Sequence, residues 1–256
     1  MNRWRIPLSR PDIDDQDRAA VAAVLERDIL SLGEEALGFE HEFETFLEQR
    51  CSAACVSNGT AGLFLALRAL GIDRGEVLTP SYGFVGTAHA IRLAGAEPRF
   101  CEVDPETMVV SVDTLDEAWS DRVTAVIPVH IFGTPPPMPE IVEWAADRGV
   151  PVIEDACEAI GGRCSGAPCG THGDAGVFAF YPNKQMTTGE GGMVVARDPE
   201  ITARVRCLRN QGRGDGEFEF VAEGFNFRLC ELQAALGRSQ LRRLPSFLSQ
   251  RERVAG

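Results

Sequence analysis

Amphipathic stretches of helical period alternate with short β-branched runs along almost the whole chain, and that alternation most limits what it can fold into. Helices are expected over 12–29, 36–49, 61–70, 84–93 and 138–148; in the second of these, Phe39, Phe43, Phe46 and Leu47 share one face. Strands are expected over 76–79, 97–103, 125–129, 151–154, 176–180 and 193–196, with a shorter run at 54–56. The connections are short and rich in glycine and proline, as compact helix–strand units require. The pattern predicts an α/β fold with a mostly parallel central sheet and helices on both faces. At 256 residues there is room for one large domain, or one domain and part of a second.

The 25 basic side chains stand against 38 acidic ones, a net charge of −13. No basic stripe is left to neutralise a nucleic-acid backbone, so nucleic acid is not expected as a partner. A small anion needs only a local pocket of donors. No run approaches the ~18 apolar residues of a membrane span, and Met1-Asn2-Arg3-Trp4-Arg5-Ile6-Pro7 leads into charged sequence without an apolar leader. A cytoplasmic protein is expected. Eight cysteines without a CxxC pair fit a reducing compartment, as buried thiols. The spacing of Cys157, Cys164, Cys169 and His172 matches no common zinc pattern, so no metal is expected.

In an open parallel sheet, ligands sit outside the carboxyl ends of the strands. Four features fall at such ends. Ser57-Asn58-Gly59-Thr60-Ala61-Gly62 opens a helix: it reads as an N-cap, or as a phosphate site built from free N–H groups and the positive end of the helix dipole. Val152-Ile153-Glu154-Asp155-Ala156-Cys157 ends a strand in two carboxylates, one of which can hold a cation at the crevice or cap a helix. Phe178 to Gly192 delivers Lys184 from an apolar strand into a loop of small residues. A lysine beside apolar walls has its charge disfavoured and becomes a nucleophilic amine. Pro80-Ser81-Tyr82-Gly83-Phe84 places an aromatic ring where it can stack on a flat ligand or join the core. His130 also ends a strand and is a further candidate for lining the site. A phosphate cradle, an aromatic platform, an acid and a lysine are together what pyridoxal 5′-phosphate needs.

The sequence resembles the DegT/DnrJ/EryC1/StrS family of sugar aminotransferases, which have the fold-type-I architecture. The resemblance lies in Ser57-Asn58-Gly59-Thr60-Ala61, Thr79-Pro80-Ser81-Tyr82-Gly83-Phe84-Val85, Val152-Ile153-Glu154-Asp155-Ala156, Phe180-Tyr181-Pro182-Asn183-Lys184 through Gly192, and Gly224-Phe225-Asn226-Phe227-Arg228. The opening Ile6-Pro7-Leu8-Ser9 and Phe39-Glu40 are similar too. It implies that Gly59 and Thr60 bind the cofactor phosphate, Phe84 stacks on the ring, and Asp155 pairs with the ring nitrogen. Lys184 carries the cofactor as a Schiff base and moves protons. Asn226 reaches the phosphate of a neighbouring subunit, so the resemblance implies a homodimer with shared active sites. Glu158 is a cofactor contact where the family often has Gln, and Ala179 stands where it often has Ser.

The implied reaction moves an amino group from an amino acid, glutamate being the expected donor, to a nucleotide-linked keto-sugar. A related sugar dehydratase branch has His in place of the lysine, which Lys184 argues against. A non-catalytic fragment that binds pyridoxal phosphate and dimerises is the remaining alternative, because family members continue into a smaller C-terminal domain. Helical patterns over 229–241 and 244–254 close the chain. On that comparison, 1–240 is expected to be the cofactor-binding large domain and 241–256 the start of a connecting helix to a missing or truncated small domain.

Overall fold

Parallel strands that share a direction bring their carboxyl ends to one edge, and that is how this chain gathers its distant motifs. The computed structural model describes residues 9–255 apart from 215 and 217. Ile6, Pro7 and Leu8 of the family-like opening lie outside the described residues, as does Gly256. The strands are β1 (Ser52–Val56), β2 (Glu76–Pro80), β3 (Glu97–Cys101), β4 (Val123–Val126), β5 (Ile153–Asp155), β6 (Arg163–Cys164), β7 (Ala167–Pro168), β8 (Ala175–Ala179) and β9 (Gly192–Ala196). One set runs β1-β9-β8-β5 and another β3-β2-β4. Parallel bridges Val126–Val152 and Val129–Asp155 join the two sets edge to edge. Within the joined sheet only β9 runs against its neighbours, β1 and β8. β6 and β7 form a separate small hairpin.

The helices are α1 (Asp15–Leu25), α2 (Glu34–Phe46), α3 (Gly59–Ala69), α4 (Gly86–Ala94), α5 (Val112–Glu117), α6 (Met138–Asp147), α7 (Pro199–Arg209) and α8 (Glu231–Ala255). Successive strand residues point to opposite faces, so Val177 and Val194 join one core with Leu63, Phe64, Leu67 and Val205. Phe178, Met193 and Val195 join the other with Phe39, Phe43, Phe180 and Leu241. Both faces are covered, which is why β8 and β9 read as near-continuous apolar runs.

Several boundaries differ from expectation. The first helix starts only at Asp15, because the Asp14 side chain caps it by accepting from the N–H groups of Gln16 and Asp17. The strand expected over 125–129 starts earlier and ends at Val126. The patterns at 229–241 and 244–254 form one helix, with Pro245 inside it. Pro costs a helix interior about 3 kcal/mol, but buried Leu241 and Leu244 and the adjoining Phe247 and Leu248 anchor both sides of it in the second core. The 240/241 division therefore falls within a continuous helix. α5, α7 and the β6–β7 hairpin were not expected.

α8 also stitches the early helices down. Glu231, itself buried, caps α2 from a distance: Oε1 accepts from the N–H groups of Gly33 (2.9 Å) and Ala36 (3.1 Å), and Oε2 from Glu35 N–H (2.8 Å). Gly33 offers no side chain of its own to do this. Glu231→Ala is expected to lose about 2–3 kcal/mol of stability, three charge-assisted bonds at a helix N-terminus being replaced by unmet donors; urea unfolding measures it. Farther along α2, Glu40 is almost fully buried. Burial pushes its carboxyl up, but the Arg209 and Arg206 guanidiniums, Arg209 at 2.6 Å, hold it below the ordinary 4.5. An acid so depressed stabilises the fold above its unfolded value, and that contribution is lost as pH falls through the folded one.

Candidate active site

Four strand ends meet around a cavity of about 490 Å³, within the range of small-ligand sites. β1 leads into α3, where Asn58 is the N-cap and its Oδ1 accepts from Ala61 N–H at 2.8 Å. Asn58 thus fills the capping role, and Gly59 and Thr60 in the first turn line the cavity. Their N–H groups precede the first helical bond, from Gly62 N–H to Asn58 O, and have no partner within the helix. A Cβ at Gly59 would meet Ala179 Cβ and Cys157 Sγ, both at 2.9 Å, so the helix end and β8 touch across a bare backbone. Phe84, which precedes α4, lines the cavity and is 73% exposed. Tyr82 does not line it; its ring packs edge-on to Phe132.

β5 ends in the two carboxylates, and strand alternation sends them opposite ways. Asp155 lines the cavity while only 6% exposed. Its Oδ2 accepts from Thr87 Oγ1 at 2.6 Å, and its Oδ1 from Cys157 N–H at 3.2 Å. Glu154 turns away and accepts from Gly170, His172 and Gly173 N–H at 2.7–2.8 Å. His130 Nε2 sits 3.1 Å from Glu154 Oε2, an ion-pair distance off the line of a hydrogen bond. Burial pushes the Glu154 carboxyl up, but His130 and the loop N–H groups hold it below the usual range. His130, a candidate by its strand-end position only, is fully buried on this pair and is not among the lining residues; the carboxylate facing away from the site takes it.

The loop between β8 and β9 is pinned at Phe180, whose N–H donates to Gly191 O and whose carbonyl accepts from Thr187 Oγ1 and Thr188 N–H. That closure points Lys184 into the cavity, with its side chain 15% exposed. Lys184 Nζ lies 3.0 Å from Glu158 Oε1, and Glu158 Oε2 accepts from Phe132 N–H at 2.9 Å. Lys184 is the sole lysine among the 256 residues, 24 arginines supplying the rest of the positive charge. That count was legible in the sequence and sharpens its case.

The structure thus brings Gly59, Thr60, Phe84, Asp155, Glu158 and Lys184 to one cavity and adds Thr87. Nothing local in the sequence warned of Thr87, which meets Asp155 across 68 positions. Asn226 is not among the lining residues. Ser57 N–H donates to Phe227 O, and Phe225 and Phe227 pack on Phe64 of α3, so alternation leaves Asn226 exposed on the other side.

The sequence profile described as the DegT/DnrJ/EryC1/StrS aminotransferase family matches residues 11–256. The chain belongs to that family. A GDP-perosamine synthase of Caulobacter vibrioides is 37% identical over 98% of this chain and 68% of its own length. A UDP-N-acetyl-3-dehydro-alpha-D-glucosamine 3-aminotransferase of Acidithiobacillus ferrooxidans is 36% identical over 94% of this chain and 66% of its own length. The solved aminotransferase TlmJ of Streptoalloteichus hindustanus superposes with a TM-score of 0.89 at 38% identity, covering 94% of this chain and 67% of that one. The chain therefore spans about two thirds of the length of the family members it matches. The α/β fold with a mostly parallel sheet is the one these aminotransferases share. No described helix is long and apolar enough to cross a membrane.

Proposed function

We propose that the protein transfers an amino group from an amino-acid donor, glutamate, to a keto-sugar carried on a nucleotide, using pyridoxal 5′-phosphate. The observation that carries this reading is the placement of Lys184 and Asp155 in one cavity that opens on the N-terminus of α3. The residues fit that cofactor. The bare backbone at Gly59 leaves the first-turn N–H groups and the Thr60 hydroxyl free for a phosphate, and the buried Asp155 carboxylate is set to hold a cationic ring N–H. When bound, pyridoxal phosphate supplies an aldehyde and a ring that takes up electron density. Asp155, oriented by Thr87 and the Cys157 N–H, keeps the proton on the ring nitrogen. Phe84 covers a ring face. Lys184 Nζ is the amine in reach, able to hold the aldehyde covalently or to carry a proton at the same atom. Cys157 takes no part: burial, then the Asp155 charge, push its thiol well up.

Purified protein loaded with pyridoxal phosphate should be yellow and lose that absorbance when glutamate is added. A colour that glutamate leaves unchanged would favour a binding fragment without turnover. The relatives act on GDP- and UDP-linked sugars by name, which supports the substrate class. The division into a large domain over 1–240 and a connecting helix from 241 belongs to the same reading, as does a cytoplasmic setting.

A homodimer with shared sites completes it. Asn226 is exposed beside the α3 end and outside its own cavity, which supports a role toward a partner's site. Mixing Lys184→Ala with Asn226→Asp, each inactive alone, gives mixed dimers with one doubly defective and one intact site. Random exchange should restore activity to about one quarter of the sites. No recovery despite proven subunit exchange would mean that Asn226 serves its own chain.

A further inference from the structure

The two oxygens of Glu158 do different work. Oε2 is fixed by the Phe132 N–H at 2.9 Å, while Oε1 lies 3.0 Å from Lys184 Nζ. The Gln185 side-chain amide also holds the Glu158 backbone carbonyl. The anchor itself is built at a cost: Phe132 has φ 53° and ψ 20°, the left-handed region that a bulky residue rarely adopts. Its strained turn is what aims the N–H at the carboxylate.

The neighbouring charges do not share this position. Asp155 is occupied by Thr87 and Cys157 N–H. Glu190, Tyr181 and Cys157 line the same cavity, and Arg10, Asp12 and Arg251 face Lys184 across a second one. Among the described residues, Glu158 is the carboxylate within ion-pair distance of Nζ.

We propose that Glu158 is the acid–base partner of Lys184 in joining that lysine to an aldehyde, held on the nitrogen by the Phe132 turn. The inference rests on reading the cavity as a pyridoxal phosphate site. Glu158 takes a proton from the Lys184 ammonium, freeing the nitrogen lone pair. The amine adds to the aldehyde carbon, and a second nitrogen proton passes to the former carbonyl oxygen, which becomes a hydroxyl. Glu158 returns its proton to that hydroxyl, the C–O bond breaks, water leaves and the carbon–nitrogen double bond forms. Ammonium and aldehyde enter; a protonated C=N group and water result, with no change of oxidation state. Gln, the residue the resemblance leads one to expect here, can neither take nor return a proton.

The test compares the cofactor-free wild-type chain with Glu158→Gln and Glu158→Asp. Deoxypyridoxine phosphate, with a methyl in place of the aldehyde, reports binding alone. Pyridoxal phosphate at saturation reports the rate of condensation, by absorbance and by borohydride trapping on the Lys184 peptide. Because the chain has one lysine, trapping there is unambiguous. Glu158→Gln should bind the analogue as wild type does yet condense about 10²-fold more slowly, and Glu158→Asp should recover part of the rate. Condensation as fast in Glu158→Gln as in wild type, or slowed only in step with analogue affinity, would overturn the role. If the wild-type chain fails to bind the analogue at all, the cofactor reading falls first and takes this inference with it.

Discussion

Lys184→Ala is expected to leave a chain that forms no borohydride-reducible adduct with pyridoxal phosphate at any side chain and transfers no amino group. The size of the effect follows from composition as well as geometry. With its one lysine removed, the chain keeps no ε-amine to substitute for it, either in the cavity or on the surface. Mass spectrometry of the reduced protein is the measurement. Wild type should carry one reduced cofactor on the peptide containing Lys184, and the variant none. Glu158 would lose its partner at 3.0 Å, but it keeps its bond from Phe132 and stays half-exposed, so the fold should survive. An adduct persisting at another internal position in the variant would sink the assignment.

Asp155→Asn should keep the colour but slow the glutamate half-reaction by roughly 10³-fold, about 4 kcal/mol of barrier. The side chain is nearly sealed from water, and both its oxygens already have partners in Thr87 and the Cys157 N–H. Asn preserves the shape and can keep one of those bonds. It removes the charge that would hold a ring N–H protonated in a low-dielectric pocket, where that charge acts most strongly. Stopped-flow absorbance after mixing with glutamate separates the loss of rate from any loss of cofactor. A rate within a few-fold of wild type would reduce Asp155 to the turn-capping residue that its bond from Cys157 N–H also allows.

Most of what positions these residues is written locally. The apolar runs of β5 and β8, the glycines after Lys184 and the cap at Asn58 are short-range signals, and each pointed to a strand end. What escaped depends on partners distant in sequence. Thr87 meets Asp155 only because α4 starts beyond the end of β2, which β4 alone separates from β5 in the finished sheet. The strand-end position of His130 leaves open whether it lines the site, and the alternation of β5, which aims Glu154 away from the cavity, decides that it does not. The patterns at 229–241 and 244–254 read as two elements because periodicity is local, whereas the Leu241 and Leu244 packing that carries one helix past Pro245 is not. α5 and α7 have too weak an apolar periodicity to compete with the loops around them, α7 being rich in arginines, of which Arg206 and Arg209 find Glu40 only in the tertiary fold.

The clasp between α8 and the first helices has a bearing on synthesis at the ribosome. Asp12, Asp17, Glu35 and Glu42 are translated early, yet their partners Arg238, Gln240 and Arg243 come about 200 positions later. At roughly 5–20 residues per second, the nascent α1 and α2 wait about 10–40 s for that helix. During the wait the Phe39–Phe43 stripe lacks the face that will bury it. Contacts of such long reach are closed late. The opening segments are therefore those for which a chaperone holding apolar helices during translation would matter most.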